Sequence, residues 1–192
     1  MTLPRTLRPS QYAWVMAAVT FLILLGASGF RSAPSVLIVP LQDEFGWSRA
    51  TISIAISINL LLFGFMGPFA AAMMERFGIR SVVVGALLVI ATGAALTTQM
   101  TTPWQLYLLW GVTVGLGTGS MATVLAATVA TRWFVKRRGL VVGVLAAASA
   151  TGQLVFLPLF AWLATHYGWR TVSLTVTIAT LAVIPLALLF LR

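Results

Sequence analysis

The chain has 192 residues, of which 60% are hydrophobic and only 8% are charged. Soluble domains average roughly 45–50% apolar and about 25% charged residues, so this composition excludes a water-soluble globular fold. The net charge of +9 would suit nucleic-acid binding in a soluble protein. Here the basic residues stand between long apolar runs, so we expect lipid as the solvent and no nucleic-acid partner.

Six apolar runs follow one another along the chain, each close to the ~20 residues that a helix needs to cross a bilayer. They are rich in Leu, Ala and Val, which favours unbroken helices over the alternating strands of a membrane barrel. The six predicted spans are Tyr12–Leu41, Thr51–Met74, Ser81–Met100, Pro103–Thr131, Gly139–Thr165 and Thr171–Leu191. The connections are short, which predicts one all-α transmembrane domain over residues 1–192.

The basic residues are distributed unequally between the two ends of these spans. With a cytoplasmic N-terminus, nine of them lie on the cytoplasmic side and two, Arg49 and Arg170, on the opposite side. Basic residues are retained on the cytoplasmic side of a membrane. We therefore expect both termini in the cytoplasm, and we assign the protein to a bacterial inner membrane.

Two connecting turns have related sequences. RFGIRSV at residues 76–82 and HYGWRTV at residues 166–172 both read basic or His, aromatic, Gly, any residue, Arg, Ser or Thr, and Val. Their glycines, Gly78 and Gly168, are 90 residues apart, and each would suit a left-handed residue that ends a helix. The turns lie on opposite faces of the membrane, which predicts a 3+3 inverted repeat with halves at about 12–100 and 103–191.

The alternative to a repeat is that any short interfacial turn favours Gly, an aromatic residue and Arg. The segment EFGWSRATIS, at residues 44–53, has similar letters at a turn that the repeat does not relate to the other two.

Several segments carry a resemblance to a known family. ERFGIRS is similar to the charged loop between spans two and three of the major facilitator superfamily, with Glu75, Arg76, Gly78 and Arg80 in register. EFGWSRATIS, MGPFAAAMMERFGIR, RWFVKRRGLVVG and YGWR resemble the monocarboxylate and oxalate:formate branch of that superfamily. The resemblance implies the first six-helix half of a twelve-helix alternating-access transporter. It also implies a small organic anion as substrate, coupled to a proton or a counter-anion, and no cofactor.

The resemblance further implies that Glu75, Arg76, Gly78 and Arg80 form a conformational latch, which holds one access state until the helices move apart. The alternative is an anchor of ordinary cytoplasmic positive charge. Because Glu75 contributes nothing to such an anchor, its presence favours the latch.

Arg31 is the only charged residue inside a predicted span. It precedes the end of span one by ten residues, about 15 Å of helix and half of the ~30 Å hydrocarbon thickness. Arginines at such depth usually face a polar cavity, and the planar guanidinium matches a carboxylate. We therefore predict that Arg31 binds the substrate. The alternative is that span one tilts and Arg31 extends to the membrane surface.

Two amides and three glycines complete the predicted set. Asn59 and Gln153 lie deep in spans two and five, where they would contact the substrate or bond to a neighbouring helix. Gly111, Gly115 and Gly119 form a ladder of small residues on span four, which predicts close helix packing.

The residue inventory disfavours an enzyme. The single His, His166, falls in a predicted turn, Cys is absent and no Asp or Glu lies within a predicted span, so we expect no metal site and no acid–base pair.

The resemblance covers only half of a twelve-span transporter. We expect either a truncated form that lacks a C-terminal half or a half that pairs with a second copy. The alternative function is a six-span scaffold or modulatory protein without transport activity.

Overall fold

The computed structural model consists of six long helices. It describes residues 9–134 and 138–191, and the side chains of all these residues except 9–13, 30–31, 122–123 and 190. Each helix is long and apolar enough to cross a membrane. In chain order they are α1 (Pro9–Phe45), α2 (Arg49–Phe77), α3 (Ile79–Thr97), α4 (Pro103–Trp133), α5 (Arg138–Tyr167) and α6 (Trp169–Phe190). The six predicted helices are confirmed, and α1 and α2 continue for about one turn past the predicted ends of their spans.

Local sequence explains where two helices begin. The Ser48 Oγ accepts a hydrogen bond from the Thr51 N–H at 3.1 Å, which caps the start of α2. Before α4, the Gln105 Oε1 accepts from the N–H groups of Thr101 and Thr102 at 2.7 and 3.1 Å, and Pro103 occupies the first helical position.

The turns at Gly78 and Gly168 each consist of a single residue. Gly78 has φ 83° and ψ 151°, and Gly168 has φ 81° and ψ 164°. The predicted left-handed helical conformation is therefore wrong in ψ, because both residues combine a positive φ with an extended ψ. Only glycine adopts that region readily, so the chain can end one helix and begin the next without a longer loop.

Helix α4 differs from the uninterrupted α-helix that its sequence predicts. It begins as an α-helix at Pro103–Leu106, continues as a π-helix over Tyr107–Val114 and returns to α-helix at Gly115–Gly119. A turn at Ser120 and Met121 then precedes the last segment, which ends at Trp133. π-helical turns are rare and occur often at functional sites.

The helices pack in three main pairs, α1 with α5, α2 with α4, and α3 with α6. The predicted repeat relates α1 to α4, α2 to α5 and α3 to α6. When each helix is replaced by its counterpart in the repeat, the same three pairs result. The contacts repeat as well. A Cβ added to Gly29 would lie 3.1 Å from Phe156, and one added to Gly119 would lie 2.9 Å from Met66. Gly29 and Gly119 are 90 residues apart, and so are Met66 and Phe156, which is also the spacing between Gly78 and Gly168. The fold therefore supports the inverted repeat.

Burial is unequal among the helices. In the most apolar stretch of each helix, 69% of the residues of α4 are buried, but only 11% of those of α2 and 22% of those of α5. Helix α4 therefore lies at the centre of the bundle, and α2 and α5 present most of their surface outward.

Candidate functional site

The predicted substrate-binding residues on α1 and α5 lie at the same level of the bundle. The buried Ser32 donates a hydrogen bond from its Oγ to the Gln153 backbone carbonyl at 3.4 Å. A Cβ added to Gly152 would lie 1.8 Å from the Ser28 Oγ, so only glycine allows α1 and α5 to approach so closely here. Arg31 belongs to α1 beside Ser32, and its side chain lies outside the described residues.

The Gln153 side chain is half-buried, and its Nε2 donates to the Ser149 carbonyl on its own helix at 3.4 Å. Its Oε1 accepts no hydrogen bond from a described residue, so an acceptor remains available at the level of Ser32. This level of the α1–α5 interface is where a polar ligand could be bound.

Asn59 has a different setting. Its Nδ2 donates to the Trp110 carbonyl in the π-helical part of α4 at 2.9 Å, and a Cβ added to Gly115 would lie 3.1 Å from the Asn59 Cα. Asn59 therefore joins α2 to α4, and among the described residues no hydrogen bond joins it to Gln153.

The glycine ladder of α4 faces α2. Added Cβ atoms would lie 3.2 Å from the Ala55 carbonyl at Gly111 and 2.9 Å from the Phe63 Cα at Gly119. Both neighbours are backbone atoms, which cannot turn aside as a side chain can. Larger residues at Gly111, Gly115 or Gly119 would therefore push the two helices apart.

The three charged residues of the predicted latch are exposed at the α2–α3 turn, and Gly78 is partly buried. The Arg76 guanidinium lies over the Phe77 ring, with the Cζ 5.3 Å from the ring centroid. Glu75, Arg76 and Arg80 make no ion pair with any residue in the described ranges. Their charges are thus available to groups outside the described bundle.

The opposite face carries a polar cluster that the sequence did not predict. The Glu44 carboxylate, in the last turn of α1, accepts from the Trp169 Nε1 at 2.5 Å and pairs with the Arg170 guanidinium at 2.7 Å. Arg170 also donates from its Nε to the Thr98 carbonyl just past α3 at 3.2 Å. We name Glu44, Thr98, Trp169 and Arg170 the α1–α3–α6 tie.

Aromatic packing surrounds this tie. The Phe45 ring stacks on Trp47 at 4.5 Å between centroids and meets the buried Trp169 edge-on at 5.9 Å. EFGW and YGWR, which the sequence presents as two separate interfacial turns with a family resemblance, are therefore in contact. Each segment contains a tryptophan and a charged residue, which is acidic in EFGW and basic in YGWR. This complementary charge is the signal in the sequence that could have indicated the contact.

No group of three or more His, Cys, Asp or Glu side chains within residues 9–134 and 138–191 could hold a metal ion.

The bundle, its glycine turns and its charged α2–α3 turn agree with a match to the family model of the Major Facilitator Superfamily over residues 9–192. The chain belongs to the major facilitator superfamily. It is therefore an integral membrane protein of a transporter family.

Individual members of this superfamily are also similar to the chain. Monocarboxylate transporter 14 of Homo sapiens is 29% identical over 175 residues, which is 88% of this chain and 34% of that protein. Monocarboxylate transporter 3 of Rattus norvegicus is 30% identical over 159 residues, 83% of this chain and 32% of that protein. The uncharacterized MFS-type transporter YcxA of Bacillus subtilis (strain 168) is 24% identical over 177 residues, 92% of this chain and 43% of that protein. The chain thus spans about a third to two fifths of the length of these relatives.

Proposed function

We propose that this major facilitator chain is a six-helix half of a secondary active transporter for small organic anions, with monocarboxylates as the main substrates. The observation that carries the proposal is the place of Arg31 in α1. Its neighbour Ser32 bonds to the backbone of Gln153, so Arg31 lies at the polar level of the α1–α5 interface. The similarity to monocarboxylate transporters agrees with this substrate class.

The charge balance of the chain favours an anion. All three acidic residues, Asp43, Glu44 and Glu75, are at the ends of α1 and α2, so none lies at the depth of Arg31. A guanidinium at that depth needs water or a counter-charge. A carboxylate substrate supplies the counter-charge, and the guanidinium can bind it through two parallel hydrogen bonds.

The same inventory restricts how transport is coupled. The chain offers no carboxylate within the membrane that could carry a proton. A coupling proton would therefore travel with the substrate or on residues outside this chain. Exchange of the substrate for a second anion would need no coupling proton.

Alternating access follows from the inverted repeat. The two three-helix units would rock against a second half, and Glu75, Arg76, Gly78 and Arg80 would latch one state by pairing across the cytoplasmic face. The side chains of Glu75, Arg76 and Arg80 are exposed and form no ion pair with a described residue, so they are available for such contacts. The nine-to-two distribution of basic residues supports a cytoplasmic position for this turn, and we assign the protein to a bacterial inner membrane.

A second six-helix half would complete the transporter, either from further chain or from a second copy. Helices α2 and α5, which the repeat relates, are the two least buried helices of the bundle. A matched pair of exposed helices is the surface that a second half would cover.

Uptake of radiolabelled lactate by proteoliposomes containing the assembled transporter tests the proposal. We expect Arg31→Gln to reduce uptake at least tenfold while insertion is unchanged, because the counter-charge for the carboxylate is lost. Arg31→Lys should restore part of the uptake, since it keeps the charge and loses the planar fork.

Arg132→Gln is the matched control, because Arg132 is an exposed arginine in the last turn of α4, whereas Arg31 lies within α1. Normal lactate uptake by Arg31→Gln would refute a role of Arg31 in binding. An inserted and assembled wild-type protein that moves no monocarboxylate would refute the proposed transport.

A further inference from the structure

An apolar groove of about 470 Å³ opens on the surface of the bundle beside the α2–α3 turn. Its walls are the end of α2, with Met73 and Phe77, and the first half of α3, with Gly85 and Val89. Its floor is α4, with Leu116, Gly117 and Ser120. This volume falls within the range of about 300–1,000 Å³ that ligand pockets have.

The groove spans most of the hydrocarbon depth of one leaflet, where a lipid acyl chain lies. Along α3 it runs from Ser81 to Val89, eight residues or about 12 Å of helix. One leaflet occupies half of the ~30 Å hydrocarbon core, so the groove begins near the membrane surface and stays within one leaflet. The walls are nearly all apolar, and Met73, Phe77 and Val89 are exposed.

The mouth of the groove is positively charged. The Arg76 guanidinium lies 5.3 Å from the centroid of the Phe77 ring, which is part of the wall, and the exposed Arg80 directly precedes Ser81. Glu75 is the one acidic residue of this turn, and within the described ranges it forms no ion pair with either arginine. The turn thus has two cations and one anion, with an excess of positive charge at the headgroup level.

We propose that this groove binds one anionic phospholipid, with an acyl chain between α2 and α3 and the phosphate between Arg76 and Arg80. An apolar trough that ends at two arginines, neither of which forms an ion pair with a described residue, matches the two parts of such a lipid. A zwitterionic lipid fits the trough equally well but gains less from the arginines, because its headgroup carries its own cation. The site does not involve the organic-anion substrate.

Gly85 allows the groove to be filled without disturbing the bundle. A Cβ added there meets no atom within 4 Å, so Gly85→Leu projects its side chain into the trough and also improves the helix propensity of α3. Gly143→Leu is the matched control, because Gly143 lies within α5, has the same free space around its Cβ and does not line the groove.

Native mass spectrometry of the purified protein, released from bilayers of equal phosphatidylglycerol and phosphatidylcholine with identical acyl chains, tests the site. We expect the wild type and Gly143→Leu to retain one lipid, predominantly phosphatidylglycerol. Gly85→Leu should lose it while its helical circular dichroism stays unchanged. Arg76→Gln and Arg80→Gln should each lower the preference for phosphatidylglycerol about fivefold and still retain lipid.

Equal lipid retention by Gly85→Leu and the wild type would overturn the groove as the binding site. Equal retention of the two lipids by the wild type would overturn the role of the arginines. A lipid-free dimer that Gly85→Leu dissociates would show that a second copy, and not a lipid, fills the groove.

Discussion

At Gly78 the need for glycine arises entirely from the backbone. A Cβ added there would meet no atom within 4 Å, yet φ is 83° and ψ is 151°. An alanine would therefore be strained without any steric contact with its surroundings. Gly168 has the same conformation and the same free space, so the two turns provide a matched pair.

We expect Gly78→Ala and Gly168→Ala each to lower the free energy of unfolding by about 1–3 kcal/mol, the usual cost of a residue held in such a region. Thermal unfolding of the purified protein in detergent measures this loss. Gly64→Ala is the control, because Gly64 lies within α2 with equally free space and a helical backbone, and alanine should be neutral or stabilising there. A stability loss at Gly64 equal to that at Gly78 would contradict the backbone explanation.

At the level of the helices, the α1–α3–α6 tie joins three elements through one carboxylate. Glu44 accepts from Trp169 and pairs with Arg170, which also bonds to the Thr98 carbonyl. The ion pair itself is solvent-exposed, with 49% of the Arg170 side chain and 38% of the Glu44 side chain accessible. Exposed pairs contribute only about 0.2–1 kcal/mol, so the indole hydrogen bond should contribute the larger part.

We therefore expect Glu44→Gln, which keeps an oxygen acceptor for the indole, to lower the melting temperature by a few degrees at most. Glu44→Ala removes both interactions and should have a clearly larger effect. Asp43→Asn is the control, because Asp43 is the adjacent acidic residue, is exposed and forms no ion pair with a described residue. If Asp43→Asn destabilised the protein as much as Glu44→Ala, general loss of negative charge would explain the effect instead of the tie.

The sequence predicts the helices well because each one is an apolar run, but the tie and the π-helix depend on contacts between helices. Glu44 and Trp169 are 125 residues apart, and nothing in either segment specifies the partner. Residues 107–114 have an ordinary apolar helical composition, and their π-helical path appears only where the α4 glycines pack on α2 and Asn59 donates to Trp110. Gly117 acts in the same way, because its missing side chain matters only where α3 packs against α4: a Cβ added there would lie 2.5 Å from the Ile90 Cγ1.

For the whole molecule, the two ends of the bundle differ in charge. At one end the α1–α3–α6 tie neutralises Arg170 within the bundle, whereas at the other end Glu75, Arg76 and Arg80 make no ion pair with a described residue. The end with free cations is also the end that the basic-residue distribution assigns to the cytoplasm. That assignment decides which leaflet supplies a lipid to the groove and on which side the latch would act.

The orientation can be measured directly, because the chain contains no Cys and every introduced one is unique. We expect Thr101→Cys and His166→Cys to react with a membrane-impermeant maleimide in intact cells, since both residues are exposed at the predicted outer face. Phe77→Cys and Gly139→Cys, also exposed but at the cytoplasmic face, should react only after the cells are permeabilised. The permeabilised sample shows that all four thiols are reactive, so a negative result in intact cells reports the side of the membrane. Labelling of Gly139→Cys in intact cells, with Thr101→Cys protected, would reverse the orientation and place the charged α2–α3 turn outside, because every helix alternates direction from the one before it.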